Sequence, residues 1–165
     1  MRTRAAAGLL LLFAQPITRI VKLTIDDILP GQDERGDDSQ HRQDGGQDLY
    51  LRLGHPATPV PEPLASLLLE LVCARANMNT ASNPDSRWLF PGGRAGQPLT
   101  PGALRQRFQA LGLPTTPART SALRQLVLAV PAPVVAAALG YDSATAEQHR
   151  FAASGHWNRY AALPR

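Results

Sequence analysis

The apolar positions of this chain fall into short blocks separated by prolines, glycines and polar runs, and their spacing predicts helices around a small sheet. Apolar side chains recur on a helical period from about residue 4 to 23. A first core helix is expected there, kinked or split at Pro16, which removes a backbone donor. Leu23 to Leu29 leads toward the sheet. The run 30–48 has no large apolar side chain and predicts a long, acidic, mobile loop. Leu49-Tyr50-Leu51-Arg52-Leu53 alternates as a strand, residues 54–57 turn, and Thr58 to Val60 returns, which together predict an antiparallel hairpin.

Beyond the hairpin the period is helical again. Pro61-Glu62-Pro63 starts a helix with Leu64, Leu67, Leu68, Leu71 and Val72 on one face, and Cys73 reads as a small buried residue beside it. After a loop over 77–87, Trp88-Leu89-Phe90 predicts a short buried strand that places Trp88 and Phe90 in the core. Thr100 and Pro101 supply an N-cap and a first helical residue for a helix carrying Leu104, Phe108 and Leu111, ended by Gly112. A further helix covers about 117–130 and is broken by Pro131 and Pro133. Val134 to Leu139, then Gly140, then Asp142 or Ser143 capping a helix to about Ala153, predicts a helix-turn-helix-like pair. Residues 157–163 are expected to form a short terminal helix. The fold class is mainly α with a small antiparallel β-sheet, as one domain over 1–165.

Charge changes this picture. Residues 26–48 hold eight of the 13 acids and two of the 17 basic residues, leaving 15 basic against five acidic elsewhere. The basic residues are arginines except Lys22, and arginine is the better bidentate partner for phosphate. A nucleic-acid surface and a merely solubilising charge both fit that balance. The single cysteine excludes an intramolecular disulfide framework, and four scattered histidines (His41, His55, His149, His156) show no ligand spacing. No metal and no cofactor are expected.

Met1-Arg2-Thr3-Arg4 before the apolar run 5–14 imitates a signal peptide, but cleavage after Ala14 would set Leu12 where a small residue belongs. No run approaches the ~20 apolar residues that span a bilayer. A cytoplasmic protein with no membrane partner is expected. Two motifs have bland readings that outweigh the sharp ones. The segment 91–100, PGGRAGQPLT, lacks the Gly-Lys-Ser/Thr of a phosphate loop and reads as a turn before a capped helix. Asp26 and Asp27 are adjacent, so their side chains diverge, and they mark a helix-to-strand junction.

Together, these elements resemble the catalytic domain of tyrosine recombinases, the phage-integrase and Xer-like family. The resemblance spans about residues 8–160 and rests on order and spacing. Leu9 to Ile28 resembles the first family box, ending in Leu23-Thr24-Ile25-Asp26-Asp27-Ile28. Tyr50 to Val60 resembles the family hairpin, Trp88-Leu89-Phe90-Pro91 with Gln97-Pro98-Leu99-Thr100 its "LF…PLS" segment, and Val134-Val135 with Leu139-Gly140-Tyr141 its "VV..LLGH" segment. Arg119 lies at the family's distance upstream of the last of these.

The resemblance implies a chemistry in which a tyrosine attacks a DNA phosphodiester. Two arginines hold the non-bridging oxygens, histidines assist proton transfer, and a hairpin lysine protonates the leaving oxygen. The first arginine is matched here by Pro16, the histidine before the second arginine by Thr116, the histidine after Leu-Gly by Tyr141, and the nucleophile by Arg150. The hairpin offers Arg52 and His55 but no lysine. Only Arg119 keeps its identity, with Tyr160 the only tyrosine after Tyr141.

The resulting expectation is a DNA-associated integrase-like domain without strand-cleavage chemistry, lacking the family's N-terminal core-binding domain and so a fragment of a longer protein. It would contact DNA backbone through Arg105, Arg107, Arg119, Arg124 and Arg150 and self-associate on DNA. Arg119 and Tyr160 are its catalytic candidates. Two readings compete: an active strand-exchange or nicking enzyme using Tyr160 or Tyr141, and a protein-interaction remnant that binds no DNA. An acid-paired or dispersed set of arginines would favour the last.

Overall fold

The computed structural model describes residues 1–31, 48–74, 86–94 and 96–154. Residues 32–47 of the expected acidic loop 30–48 lie outside the described residues, as do the expected terminal helix and Tyr160, while Pro30 belongs to the first strand of the sheet. Helix α1 (Arg2–Leu12) buries Ala5, Ala6, Leu9 and Leu10 and packs against α3 (Leu64–Cys73), α4 (Pro101–Ala110) and α5 (Thr115–Ala129). Its small residues permit that crowding: a Cβ on Gly8 would come within 2.7 Å of the Leu64 side chain. The long first helix expected from the sequence is two helices. Ala14 takes a left-handed φ of 54°, Pro16 follows in an extended conformation, and α2 (Ile17–Ile20) restarts the chain.

A 3-10 turn (Ile25–Asp27) carries the chain into the sheet. Asp27 Oδ2 accepts from both the backbone N–H and the hydroxyl of Thr24 at 2.9 Å, while Asp26 pairs with Arg87, so both acids are engaged at the junction. Strands β1 (Ile28–Pro30), β2 (Leu49–Leu51) and β3 (Thr58–Val60) form an antiparallel sheet in that order, with Ile28 opposite Leu51 and Leu49 opposite Val60. The alternation in β2 is as read: Leu49 and Leu51 are buried and Tyr50 is half-buried.

The segment 88–90 forms no strand. Thr24 and Trp88 make an isolated bridge, with Leu89 N–H donating to Leu23 O at 2.8 Å. Leu89 and Phe90 are buried, but Trp88 is half-exposed and donates its indole N–H to Gly96 O at 2.9 Å. An indole donor needs a partner, and here the partner lies in the surface turn. That turn closes with Gly92 N–H donating to Gln97 O at 2.9 Å and leads to Thr100, whose hydroxyl accepts from Ala103 N–H.

Helix α4 turns Leu104 and Phe108 inward, but Leu111 is 63% exposed. Gly112 adopts φ 67°, its N–H bonds Gln109 O, and Leu113 N–H bonds Phe108 O, a paired closure of the helix end. That closure turns Leu113, rather than Leu111, back onto the core. Cys73 is exposed, because α3 buries Leu64, Ala65, Leu68 and Leu71 and the last residue points away from that stripe.

Helix α6 (Ala132–Leu139) ends in a second closure. Gly140 takes φ 65°, and Tyr141 N–H bonds Ala136 O at 2.8 Å. Asp142 then caps α7 (Ser143–Ser154), its Oδ2 accepting from Ala144 and Thr145 N–H. The expected helix pair is therefore present, with α7 packed along both α5 and α6.

The four last carbonyls of this region find partners from distant parts of the chain. His55 N–H donates to Ala137 O, Thr58 Oγ1 to Ala138 O, and Gln15 Nε2 to Leu139 O. The Arg19 guanidinium donates to Leu139 O and Gly140 O at 2.9 Å and to Leu53 O at 2.7 Å. A cation at a helix C-terminus also meets the negative end of the helix dipole. One arginine thus joins α2, the hairpin and α6.

Candidate nucleic-acid interface

Helices α1 and α2 meet α4 and α5 around an open hollow of about 170 Å³. Leu10, Pro16, Ile17 and Thr18 form one wall, and Arg105, Thr115, Thr116 and Arg119 form the other. The α5 side follows from helical spacing: Thr115 and Thr116 stand four and three residues before Arg119, so all three share a face. Pro16, Thr116 and Arg119, which the family resemblance singled out one by one, are brought together here. Pro16 and Thr116 carry no charge, so the cations lining the hollow are Arg105 and Arg119.

Leu104 and Phe108 occupy the core side of α4, and Arg105 and Arg107 leave the helix on opposite flanks of that stripe. Arg105 enters the hollow. Arg107 instead lies toward Arg2 on α1, whose guanidinium is held below its ordinary value by burial and then by the Arg107 charge. The two α4 arginines expected to act together therefore serve different surfaces.

Arg119 has a second neighbourhood. It is half-buried, and its charge reaches both Tyr141 and His149. Among the described residues, no carboxylate forms an ion pair with Arg105, Arg107, Arg119 or Arg124. Arg124 is exposed on α5 and acts with Arg119 on His149 of α7. Burial first, then the Arg124 and Arg119 charges, hold that imidazole below its ordinary value. Arg150 differs from the others: its Nε lies 2.7 Å from Glu147 Oε2, so this expected DNA contact is engaged by an acid one helical turn away.

Tyr141 is tied into the fold. Its hydroxyl donates to Ala14 O, at the left-handed residue that ends α1. Burial raises its phenol above the ordinary value, against the opposing pull of Arg119 and Arg19. A neutral, half-buried, donating phenol is the wrong state for a nucleophile. On the hairpin, Arg52 donates to Asp26 O at 2.8 Å and lies 3.5 Å from Asp27 Oδ1, while His55 is exposed.

Thr18, Thr115 and His149 were not picked out as site residues from sequence. The two threonines carried one legible signal, a hydroxyl one turn before an arginine on the same helix. Arg19 carried none, because its partners are backbone carbonyls. The arrangement in the hollow supplies two planar guanidinium forks and neutral hydroxyls, the donor set that holds phosphate oxygens. Among the described residues, none that lines the hollow is a carboxylate, histidine, cysteine or tyrosine. Among the described residues no three or more histidine, cysteine or acidic side chains group as a metal site, and no helix is long and apolar enough to cross a membrane. No family model, curated protein or solved structure matches the chain.

Proposed function

We propose that this is a DNA-binding domain of tyrosine-recombinase type that grips backbone phosphate through the Arg105–Arg119 hollow and does not cut or join DNA. The observation that carries the reading is the pairing state of these two arginines. They line one open hollow beside three threonine hydroxyls, and no carboxylate among the described residues neutralises them. Phosphate supplies the missing counter-charge and accepts from both forks. The loss of cleavage is supported by the same hollow. Pro16 and Thr116 stand where the family resemblance implies an arginine and a histidine, and Tyr141 donates its hydroxyl inward.

Fluorescence anisotropy of a labelled generic duplex tests the binding half. Micromolar affinity with a steep salt dependence is expected, since each phosphate contact releases counterions. The Arg105→Ala/Arg119→Ala double variant should bind more weakly and lower the salt slope by about two. No binding by the wild type at low salt would end the reading and leave a protein-interaction role. Covalent trapping on a nicked duplex tests the other half: no adduct is expected, and an adduct abolished by Tyr160→Phe would restore an active enzyme.

A further inference from the structure

We propose that the Arg105–Arg119 hollow takes a terminal phosphate of a DNA strand, a phosphomonoester at a nick or an end, in preference to an internal phosphodiester. The inference rests on the phosphate-binding reading and names which phosphate the hollow selects.

The selection follows from the donors that the fold leaves unused in the hollow. Arg105 and Arg119 reach it from two different helices, α4 and α5, and Thr18, Thr115 and Thr116 add three hydroxyls. Among the described residues, none of these five side chains makes a hydrogen bond or an ion pair. Thr115 and Thr116 are also the first two residues of α5, and no side chain caps that helix, so their backbone N–H groups have no intrahelical partner. Pro117 follows them and carries no N–H of its own. The opposite wall offers carbon from Leu10, Pro16 and Ile17 and brings no charge.

Two guanidiniums without an acid set the charge that a ligand has to balance. An internal phosphodiester brings one negative charge and two free oxygens, so it leaves one guanidinium uncompensated. A terminal phosphate brings a charge of about −1.5 to −2 at neutral pH and three free oxygens. One oxygen is then available to each guanidinium fork, and the third is left for the hydroxyls and N–H groups at the start of α5. At about 170 Å³ the hollow has many times the space that one water needs, and its open side gives the rest of the strand a way out.

The test is anisotropy on a labelled dumbbell duplex, either closed or nicked with a 5′-phosphate, a 3′-phosphate or only hydroxyls at the break. Binding about tenfold tighter than to the hydroxyl nick is expected when a phosphate is present, the scale of one added charge-assisted contact. Arg105→Ala, at an exposed position where the fold tolerates truncation, should lose most of that gain, and Arg105→Ala/Arg119→Ala should lose all of it. Equal affinity for every nicked form would overturn the inference and leave the backbone-phosphate reading standing. A gain kept in full by both variants would also overturn it, by placing the strand end outside the hollow. No binding to any form at low salt would remove the DNA reading instead. Phosphorus NMR with methyl phosphate then decides the hollow alone. A resonance shift that is lost in the double variant supports a phosphomonoester site, and an unmoved resonance, or a shift kept in the variant, overturns it.

Discussion

Two arginines close to Tyr141, Arg19 and Arg119, are used in opposite ways. Arg19 faces the carbonyl end of α6, where three backbone oxygens from two distant segments accept from it at 2.7–2.9 Å. Arg119 faces an open hollow and has no acid partner among the described residues. The first arginine has its donors satisfied by the fold, so it adds stability. The second leaves donors for a ligand, and Arg105, which lines the same hollow, raises the local positive potential instead of cancelling it. The pairing state of an arginine, not its count, separates a structural cation from a recognition cation.

The largest effect should come from breaking the satisfied side. Arg19→Ala removes three charge-assisted hydrogen bonds and strands partly buried carbonyls, a loss on the order of 3 kcal/mol. Thermal melting should fall by about 6–12 °C for a chain of this size. Arg19→Lys should recover less than half of that, because one ammonium cannot span three carbonyls in a planar fork. A melting point unchanged in Arg19→Ala would abolish the contrast between the two arginines.

Arg119→Ala should show the reverse pattern. Its stability should stay within about 1 kcal/mol of wild type, since no ion pair with an acid among the described residues ties it to the fold, while duplex affinity falls by about tenfold, roughly 1.4 kcal/mol. Melting and anisotropy measured on the same preparation separate the two outcomes. A large stability loss with unaltered affinity would place Arg119 with Arg19.

Tyr141 sits between the two, and its phenol gives a pH-dependent check. Its pKa in the fold lies above the unfolded value of about 10, so the neutral form is favoured by folding. The stability it contributes is fully present below that unfolded value and is lost as pH rises through the folded pKa. Wild type should therefore lose melting temperature more steeply than Tyr141→Phe in alkaline solution. At neutral pH the variant should lose about 1 kcal/mol, for the hydrogen bond to Ala14 O. Equal alkaline slopes would show that the phenol makes no such contribution.

The smallest change is expected at Arg150. Its ion pair with Glu147 is about half exposed on both sides, and such pairs contribute roughly 0–1 kcal/mol. Arg150→Ala should leave melting within a degree or two and duplex affinity within about twofold. A tenfold loss of affinity would return Arg150 to the binding face and weaken the rule that acid pairing marks a structural arginine.

The pattern of apolar and polar positions determined most of the elements. Alternation at 49–51, the Thr100-Pro101 start of α4 and the glycines at 112 and 140 each state a local preference that the backbone obeys at that position. The arginine-rich surface was also legible, because charge is a property of residues and needs no partner to be counted. Tertiary structure decided what each of those residues does. Leu111 lost its core position to Leu113 because the left-handed turn at Gly112 redirected the chain, and Trp88 moved outward because its indole donor had to find Gly96 O. Arg105 and Arg107, two residues apart, went to different surfaces because the α4 core stripe lies between them. Arg19 was silent in the sequence for a related reason. Backbone carbonyls carry no residue identity, so only the meeting of α2, the hairpin and the end of α6 reveals that they need a cation there.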